Sequence, residues 1–112
     1  MPWEPFNKGA TIGQRGSEDG VTVADEEHNL GARITLERKT NHAPFAITCG
    51  VYGWMFHTRY FGSESEASAE FERMKSGLDA ILNIIPRIDE LEADVKCQRV
   101  ADAIGAFVEQ FP

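Results

Sequence analysis

The chain has 112 residues, the length of one ordinary domain, and two independent cores would each fall near the size limit for folding alone. Apolar residues make up 42% of the sequence and charged residues 26%, a globular composition that argues against disorder along the whole chain. The net charge is −7 and the basic residues form no block, so we expect no nucleic acid partner. The acidic surface can simply keep the protein in solution, or it can bind a basic protein partner.

The first predicted element is an arm over residues 1–20, where prolines and glycines interrupt any hydrophobic period. This composition indicates an extended or flexible segment that precedes a single α+β domain over residues 21–112. Trp3 and Phe6 are the exceptions, and two large aromatic residues predict that the arm docks on its own domain or on a neighbouring protomer.

Targeting signals are missing from the pattern of the sequence. The arm has no basic segment followed by an apolar one, as a secretion signal has, and no run elsewhere approaches the roughly 20 apolar residues that cross a bilayer. We therefore expect a cytoplasmic protein that does not bind membranes. In that compartment Cys49 and Cys97, which lack CxxC spacing, are expected to be reduced and to pack as small hydrophobic residues.

Two short runs after the arm have the period of β-strands. In "VTVAD" the residues Val21 and Val23 lie on one side, and in "ARITLERK" the residues Ile34 and Leu36 alternate with polar ones. Such alternation is typical of an antiparallel sheet with one face in water. The segment "EEHNLG" between the two runs supplies the turn.

The stretch "FAITCGVYGWMFHTRYF" predicts a β-hairpin. A two-residue turn at Tyr52 and Gly53 would pair Cys49 with Phe56, and a four-residue loop would pair Cys49 with Trp54. Both registers place the same side chains on the core face: Phe45, Ile47, Cys49, Val51, Trp54, Phe56, Thr58 and Tyr60. The opposite face then carries Ala46, Thr48, Gly50, Met55, His57 and Arg59.

Two helices are predicted after the hairpin. Ser63 and Glu66 have the spacing of a capping box, and the first helix has one apolar stripe made of Ala67, Phe71, Met74, Leu78, Ile81 and Ile85. Pro86 ends that helix and begins the second one. The second helix has two apolar sides, with Ile88, Leu91 and Val95 on one and Ala93, Cys97, Val100, Ile104, Phe107 and Phe111 on the other. Burial on two sides predicts a partner surface, most simply a second copy of the chain.

Together these elements predict an α+β fold in which a four-stranded antiparallel meander (β-β-β-β) is followed by two C-terminal helices packed on one sheet face.

Motifs for metal binding or catalysis are missing from the sequence. His28, His42 and His57 have none of the spacings of a zinc site, and the run Asp25 to His28 fits a solvated acidic turn better than a cation site. No phosphate loop, nucleophile elbow or dinucleotide fingerprint occurs. Cys49 and His57 are predicted on opposite faces, which would prevent a nucleophile and base pair. We therefore predict no catalytic residue, no metal and no cofactor.

One small group of polar residues is a candidate binding site. His57 and Arg59 are two residues apart on the predicted outer face, and Thr48 lies across the hairpin. These three side chains can bind a small anion or a metabolite. The alternative interpretation is a solvated face or a contact between subunits, where His and Arg are also common.

Three functions follow from these patterns. The preferred one is a small non-enzymatic interaction domain that self-associates as a homodimer, with contact residues Trp3, Phe6, Val100, Ile104, Phe107 and Phe111. The first alternative is a protein or enzyme that binds a small anion or metabolite with His57 and Arg59. The second alternative is an acidic inhibitor or immunity-type protein that masks a basic protein partner.

Overall fold

The computed structural model describes residues 2–85 and 93–112, and for residues 93–96 it describes the backbone alone. Its strands are β1 (Trp3–Pro5), β2 (Val21–His28), β3 (Ala32–Arg38), β4 (Phe45–Val51) and β5 (Met55–Phe61), and its helices are α1 (Glu64–Leu82) and α2 (Ala93–Gln110). The strands pair antiparallel in chain order. The α+β class is confirmed, but the sheet has five strands where the sequence predicts four.

The additional strand, β1, comes from the beginning of the predicted arm. Trp3 pairs with His28 of β2, and its indole Nε1 donates a hydrogen bond to Asp79 of α1 at 2.9 Å. The same Asp79 oxygen lies 3.1 Å from Nε2 of His28, whose Nδ1 accepts from the amide of Leu30. Prolines flank Trp3 and suggest a strand breaker, but an edge strand tolerates proline because one side of its backbone needs no partner.

The rest of the arm folds back over the sheet. A 3₁₀ turn (Phe6–Gly9) leads into a loop in which the amide of Gly13 donates to the carbonyl of Thr22. The amides of Glu18 and Gly20 donate to the carboxylate of Glu37, at 3.1–3.3 Å. Glu37 is fully buried, so these backbone donors supply the hydrogen bonds that its charge requires.

The two sides of the sheet differ in what covers them. The side under α1, here called the helix face, carries the core residues Ala32, Ile34, Leu36, Ile47, Cys49, Val51 and Phe61. The opposite side, here called the outer face, carries Asp25, Arg33, Thr35, Thr48, Phe56, Thr58 and Tyr60. The arm's loop covers part of that outer face.

The predicted hairpin register is wrong. Cys49 pairs with His57 and Ile47 with Arg59, because the turn has three residues, 52–54, with Gly53 in the left-handed region at φ 81°. A turn with an odd number of residues moves every side chain of β5 to the other face. Phe56, predicted in the core, is 87% exposed.

The same shift moves the remaining β5 side chains. Tyr60 is exposed on the outer face and Thr58 lies beside it, whereas Met55, His57 and Arg59 are on the helix face. All the residues of β4 predicted to face the core, from Phe45 to Val51, do so. The error is therefore confined to one strand.

Helix α1 forms as its pattern predicts. The amide of Glu66 donates to Oγ of Ser63 at 3.3 Å, which is one half of the predicted capping box. The stripe residues Ala67, Phe71, Met74, Leu78 and Ile81 are buried in the core, and Ile85 packs against them. Residues 86–92 and the side chain of Val95 lie outside what the structure describes, so the predicted helix start at Pro86 and the stripe formed by Ile88, Leu91 and Val95 stay predictions.

Helix α2 packs its aromatic end against α1 and β5. Val100, Phe107 and Phe111 are buried in the chain's own core, so their apolar surface is already covered without a second copy. The contact of these three residues with a second copy stays a prediction. Ile104 is half-buried against the same core.

Candidate functional site

The structure does not bring together the residues of the predicted anion site. Thr48 lies on the outer face, with its hydroxyl 3.4 Å from that of Thr58. His57 and Arg59 lie on the opposite side of the sheet. A ligand on the outer face therefore cannot contact all three side chains.

His57 and Arg59 instead hold Phe111 and Pro112 against β5. The ring Nε2 of His57 donates to the carbonyl of Phe111, and Nε of Arg59 donates to the carbonyl of Pro112 at 3.1 Å. Nη1 of Arg59 also donates to Glu70 of α1 at 2.9 Å. Both residues thus have structural partners on separate elements.

The guanidinium of Arg59 affects Glu70 in turn. The hydrogen bond from Arg59 lowers the pKa of Glu70, and a second pairing with Arg73 acts in the same direction. Arg59 also lies near the rings of Phe61 and Phe111, at 4.9 and 5.4 Å from the ring centroids. A charged group with so many partners is fixed and has little capacity left for a ligand.

Cys49 and His57 are direct neighbours across the hairpin, contrary to the prediction that they face opposite sides. The thiol is 1% exposed, and burial raises its pKa to about 12, although the charge of Arg59 opposes the shift. A thiol with that pKa is protonated at neutral pH and is a poor nucleophile. The pair lacks the reactive form that cysteine catalysis requires.

The outer face carries a group of exposed aromatic residues, here called the aromatic surface: Tyr52, Phe56 and Tyr60. Phe56 lies opposite Gly50 in the β4–β5 ladder. A Cβ atom at position 50 would lie 3.1 Å from Cδ1 of Phe56, so the ring rests against the glycine backbone. The missing side chain at Gly50 allows the ring to lie there.

Carboxylates hold the two tyrosines of this surface. The hydroxyl of Tyr52 donates to Glu27 at 2.6 Å, and that of Tyr60 donates to Glu18. Burial, followed by the hydrogen bond to Glu27, raises the pKa of Tyr52 to about 12. The hydrogen bond to Glu18 likewise raises the pKa of Tyr60. Both hydroxyls therefore stay protonated and remain donors around neutral pH.

An ion pair between a buried carboxylate and a half-exposed arginine lies beside the aromatic surface. Arg33 donates two hydrogen bonds to Asp25, at 2.9 and 2.7 Å, while Thr11 and Thr35 donate to the same carboxylate. Burial alone would raise the pKa of Asp25, but these donors and the charge of Arg33 outweigh it and hold the pKa below its usual value. The ring of Phe6 lies 3.6 Å from the Arg33 guanidinium. This pair fixes the loop of the arm on the outer face.

The acidic run between Asp25 and His28 does not form one cluster. Asp25 and Glu27 point to the outer face, whereas Glu26 and His28 point to the helix face and bind α1 through Lys75 and Asp79. Within residues 2–85 and 93–112, no three His, Cys, Asp or Glu side chains are placed to hold a metal ion.

Sequence reasoning missed the aromatic surface because it placed Phe56 and Tyr60 in the core. One signal was present: a glycine within a strand, here Gly50 of β4, leaves room for an aromatic ring from the neighbouring strand. The pairings of Tyr52 with Glu27 and Tyr60 with Glu18 span 25 and 42 residues, and no local pattern indicates them.

Comparison of the chain with protein-family models, with curated proteins and with solved structures returned no match. In the part of the chain that the structure describes, neither helix is long and apolar enough to span a membrane.

Proposed function

We propose that this chain is a non-enzymatic interaction domain that binds a basic protein partner through its aromatic surface. The observation that carries the proposal is the 87% exposure of Phe56, the second residue of β5, which lies on the outer face with the exposed rings of Tyr52 and Tyr60. A single exposed apolar residue is ordinary, but three aromatic rings on one surface are typical of a protein contact.

The position of Phe56 suits the centre of an interface. Its ring rests on the backbone of Gly50, and the tyrosines on either side are held by hydrogen bonds. Aromatic residues held in place before binding lose little conformational entropy on contact, and they often carry most of the binding energy of an interface.

The charges of the outer face favour a basic partner. Arg33 is paired with Asp25, and Arg15 lies 4.0 Å from Asp19. Among the described residues, no basic side chain forms an ion pair with Glu18 or Glu27, the carboxylates that hold the tyrosines. An arginine or lysine of a partner can therefore lie on an aromatic ring beside a carboxylate, where cation–π attraction contributes about 0.5–2 kcal/mol.

Self-association through this surface is less favourable. A symmetric dimer would bring the carboxylates of this surface from two copies into one interface, and each copy has a net charge of −7. The apolar residues Val100, Phe107 and Phe111, which suggested a dimer in the sequence, are covered within one chain. The homodimer stays a prediction, and light scattering over a range of concentrations tests it.

An NMR titration of the ¹⁵N-labelled chain tests the proposal with a defined probe. We expect a blocked tetra-arginine peptide to shift amide signals around Gly50, Tyr52, Phe56 and Tyr60, and a blocked tetra-glutamate peptide to leave them unchanged. Added salt should weaken the effect, because exposed charges are screened.

A matched pair of variants completes the test. Phe56→Ala should remove most of the response, whereas Val108→Ala, which shortens an exposed apolar residue on α2, should leave it intact. The proposal fails if the glutamate peptide acts equally well, if Phe56→Ala responds like the unmodified chain, or if light scattering shows a dimer that Phe56→Ala dissociates.

A further inference from the structure

A second concavity lies on the helix face, at the end of the sheet where α1 begins. Helix α1 packs over β3, β4 and β5, and its ion pairs with β2 lie near the end of that strand, at Glu26 and His28. The resulting cavity, here called the end cleft, has a volume of about 560 Å³. Its apolar walls are formed by Ile12, Val21, Val23, Leu36, Pro44 and Phe45. This size and character are common among sites for small molecules.

Some apolar side chains in the walls of the end cleft are only partly buried. Val23 is 42% exposed and Ile12 is 47% exposed, although both line the cleft. Val23 is the extra residue at a β-bulge between Thr22 and Ala24, where the register of β2 against β3 shifts. Bulges commonly redirect a side chain near a functional site. The bulge thus adds an aliphatic side chain to the wall of the end cleft.

Two adjacent basic residues, Arg38 and Lys39, line the same cleft. Both are exposed, and neither forms an ion pair with any side chain in the described part of the chain. The backbone of Lys39 has φ 55°, in the left-handed region that residues with a side chain seldom occupy. Hydrogen bonds hold this conformation, including one of 2.7 Å from the amide of Lys39 to the carbonyl of Pro44.

One carboxylate, that of Glu64, also lines the cleft. Glu64 is in the first turn of α1, where the positive end of the helix dipole stabilises its charge. Arg38 and Lys39 together carry two positive charges against this single negative one. The cleft is therefore net positive, in a chain that is strongly acidic as a whole.

We propose that the end cleft binds an aliphatic monocarboxylate of medium chain length. The alkyl chain would lie against Val21, Val23 and Phe45, and the carboxylate would pair with Arg38 and Lys39. An apolar wall alone would accept any hydrophobic molecule, and the paired cations select one with a negative head group. The cleft lies on the other side of the sheet from the aromatic surface, so this site does not depend on the proposed protein contact.

Calorimetric titration with decanoate tests this site, with decanol and decyltrimethylammonium as probes of the same chain length. We expect saturable binding of decanoate, weaker binding of decanol and none of the cation. In NMR spectra of the labelled chain, decanoate should shift the amides of Val21, Val23 and Phe45 and leave those of the aromatic surface unchanged.

Variants distinguish the contribution of the ligand's head group to binding from that of its alkyl chain. The double change Arg38→Gln and Lys39→Gln should weaken decanoate binding by about tenfold and leave decanol binding unaltered, since each exposed ion pair contributes modestly. Arg15→Gln, which removes an exposed cation outside the end cleft, should have no effect. Val23→Asp should abolish binding while the amide spectrum keeps its folded dispersion.

Several results would overturn the site: the absence of saturable decanoate binding, equal binding of decyltrimethylammonium, an unchanged affinity in the double variant, or decanoate shifts at residues outside the end cleft. A failure of this kind would leave the arginine-peptide titration of the aromatic surface unaffected.

Discussion

Two buried carboxylates, Asp25 and Glu37, determine where the arm lies. Asp25 accepts hydrogen bonds from Thr11, Thr35 and Arg33, and Glu37 accepts from the backbone amides of the loop. Each carboxylate would be costly in an apolar interior without these donors, and each donor fixes a point of the arm on the outer face. Single charged residues thus order a segment whose composition indicates flexibility.

The ion pair of Asp25 predicts a pH dependence of stability. Its pKa in the folded chain lies below the value of about 3.9 expected for the unfolded chain. The stabilisation is therefore complete above about pH 4 and is lost as the pH falls through the folded pKa. We expect Asp25→Asn to lower the free energy of unfolding at pH 7 by about 1–3 kcal/mol, because Arg33 loses its charged partner but is partly solvated.

Urea denaturation of both proteins at pH 7 and at pH 3 measures this effect. The difference between the two proteins should shrink at the lower pH, because protons that bind Asp25 in the unfolded chain then favour unfolding. A difference that is equal at both pH values would contradict the assigned role of the carboxylate.

At the scale of elements, local patterns predict the helices well and the hairpin poorly. The cap at Ser63 and the stripe of α1 depend on residues three or four apart, so the sequence contains all that is needed. Which side chains of β5 point to the helix face depends on the hydrogen-bond partners of His57 and Arg59, which lie 54 and 53 residues away in the sequence. Without those partners, two polar residues predict a solvated face, and the apolar Phe56 predicts the core.

Arg59 connects three elements, and its removal should therefore destabilise the fold. It binds Glu70 of α1 and the carbonyl of Pro112 after α2, while its own backbone is in β5. We expect Arg59→Ala to reduce the free energy of unfolding by about 2–4 kcal/mol, because the pair is largely shielded from water.

Arg73→Ala is the matched control for Arg59. It removes an arginine that binds the same Glu70 but is mostly exposed, and it should cost less than about 1 kcal/mol. Chemical denaturation compares the two variants. Equal stability of the two would show that Arg59 does not join these elements.

The crossing of α1 and α2 depends on the absence of a side chain at Gly77. A Cβ atom there would lie 2.8 Å from Cε2 of Phe107, closer than atoms pack. Gly105 on α2 offers a control, because a Cβ atom at that position meets nothing within 4 Å. Alanine favours a helix over glycine by about 1 kcal/mol at both positions, so the two substitutions differ only in the clash.

Thermal or urea denaturation should therefore separate the two glycine variants. We expect Gly105→Ala to stabilise the chain and Gly77→Ala to be less stable than it by about 1–3 kcal/mol, the usual cost of overpacking. A Gly77→Ala variant as stable as Gly105→Ala would contradict the close approach of the helices.

At the scale of the whole molecule, the two faces of the sheet have separate roles. The helix face holds the core and, at one end, the cleft lined by Arg38 and Lys39. The outer face holds the aromatic surface and the ion pair of Asp25. The α+β class follows from the sequence because it depends only on the order of segments with the hydrophobic period of a strand and segments with that of a helix.

The candidate site does not follow from the sequence in the same way. Only the register of one hairpin determines whether Phe56 belongs to the core or to the surface, and a change of one residue in the turn reverses the answer. The end cleft depends on a β-bulge at Val23 and on how far α1 reaches across the sheet, and neither has a local signal.

The outward position of Phe56 is the claim on which the protein contact depends. A soluble paramagnetic agent added to the labelled chain broadens the NMR signals of side chains that water reaches. We expect strong broadening of the ring signals of Phe56 and Tyr60 and little change in those of Phe61 and His57, which lie under α1 and the C-terminal residues. If the ring signals of Phe56 and Tyr60 stayed sharp and those of His57 broadened, the hairpin would have the register in which Phe56 faces the core. That result would contradict the assignment of the outer face as a binding surface.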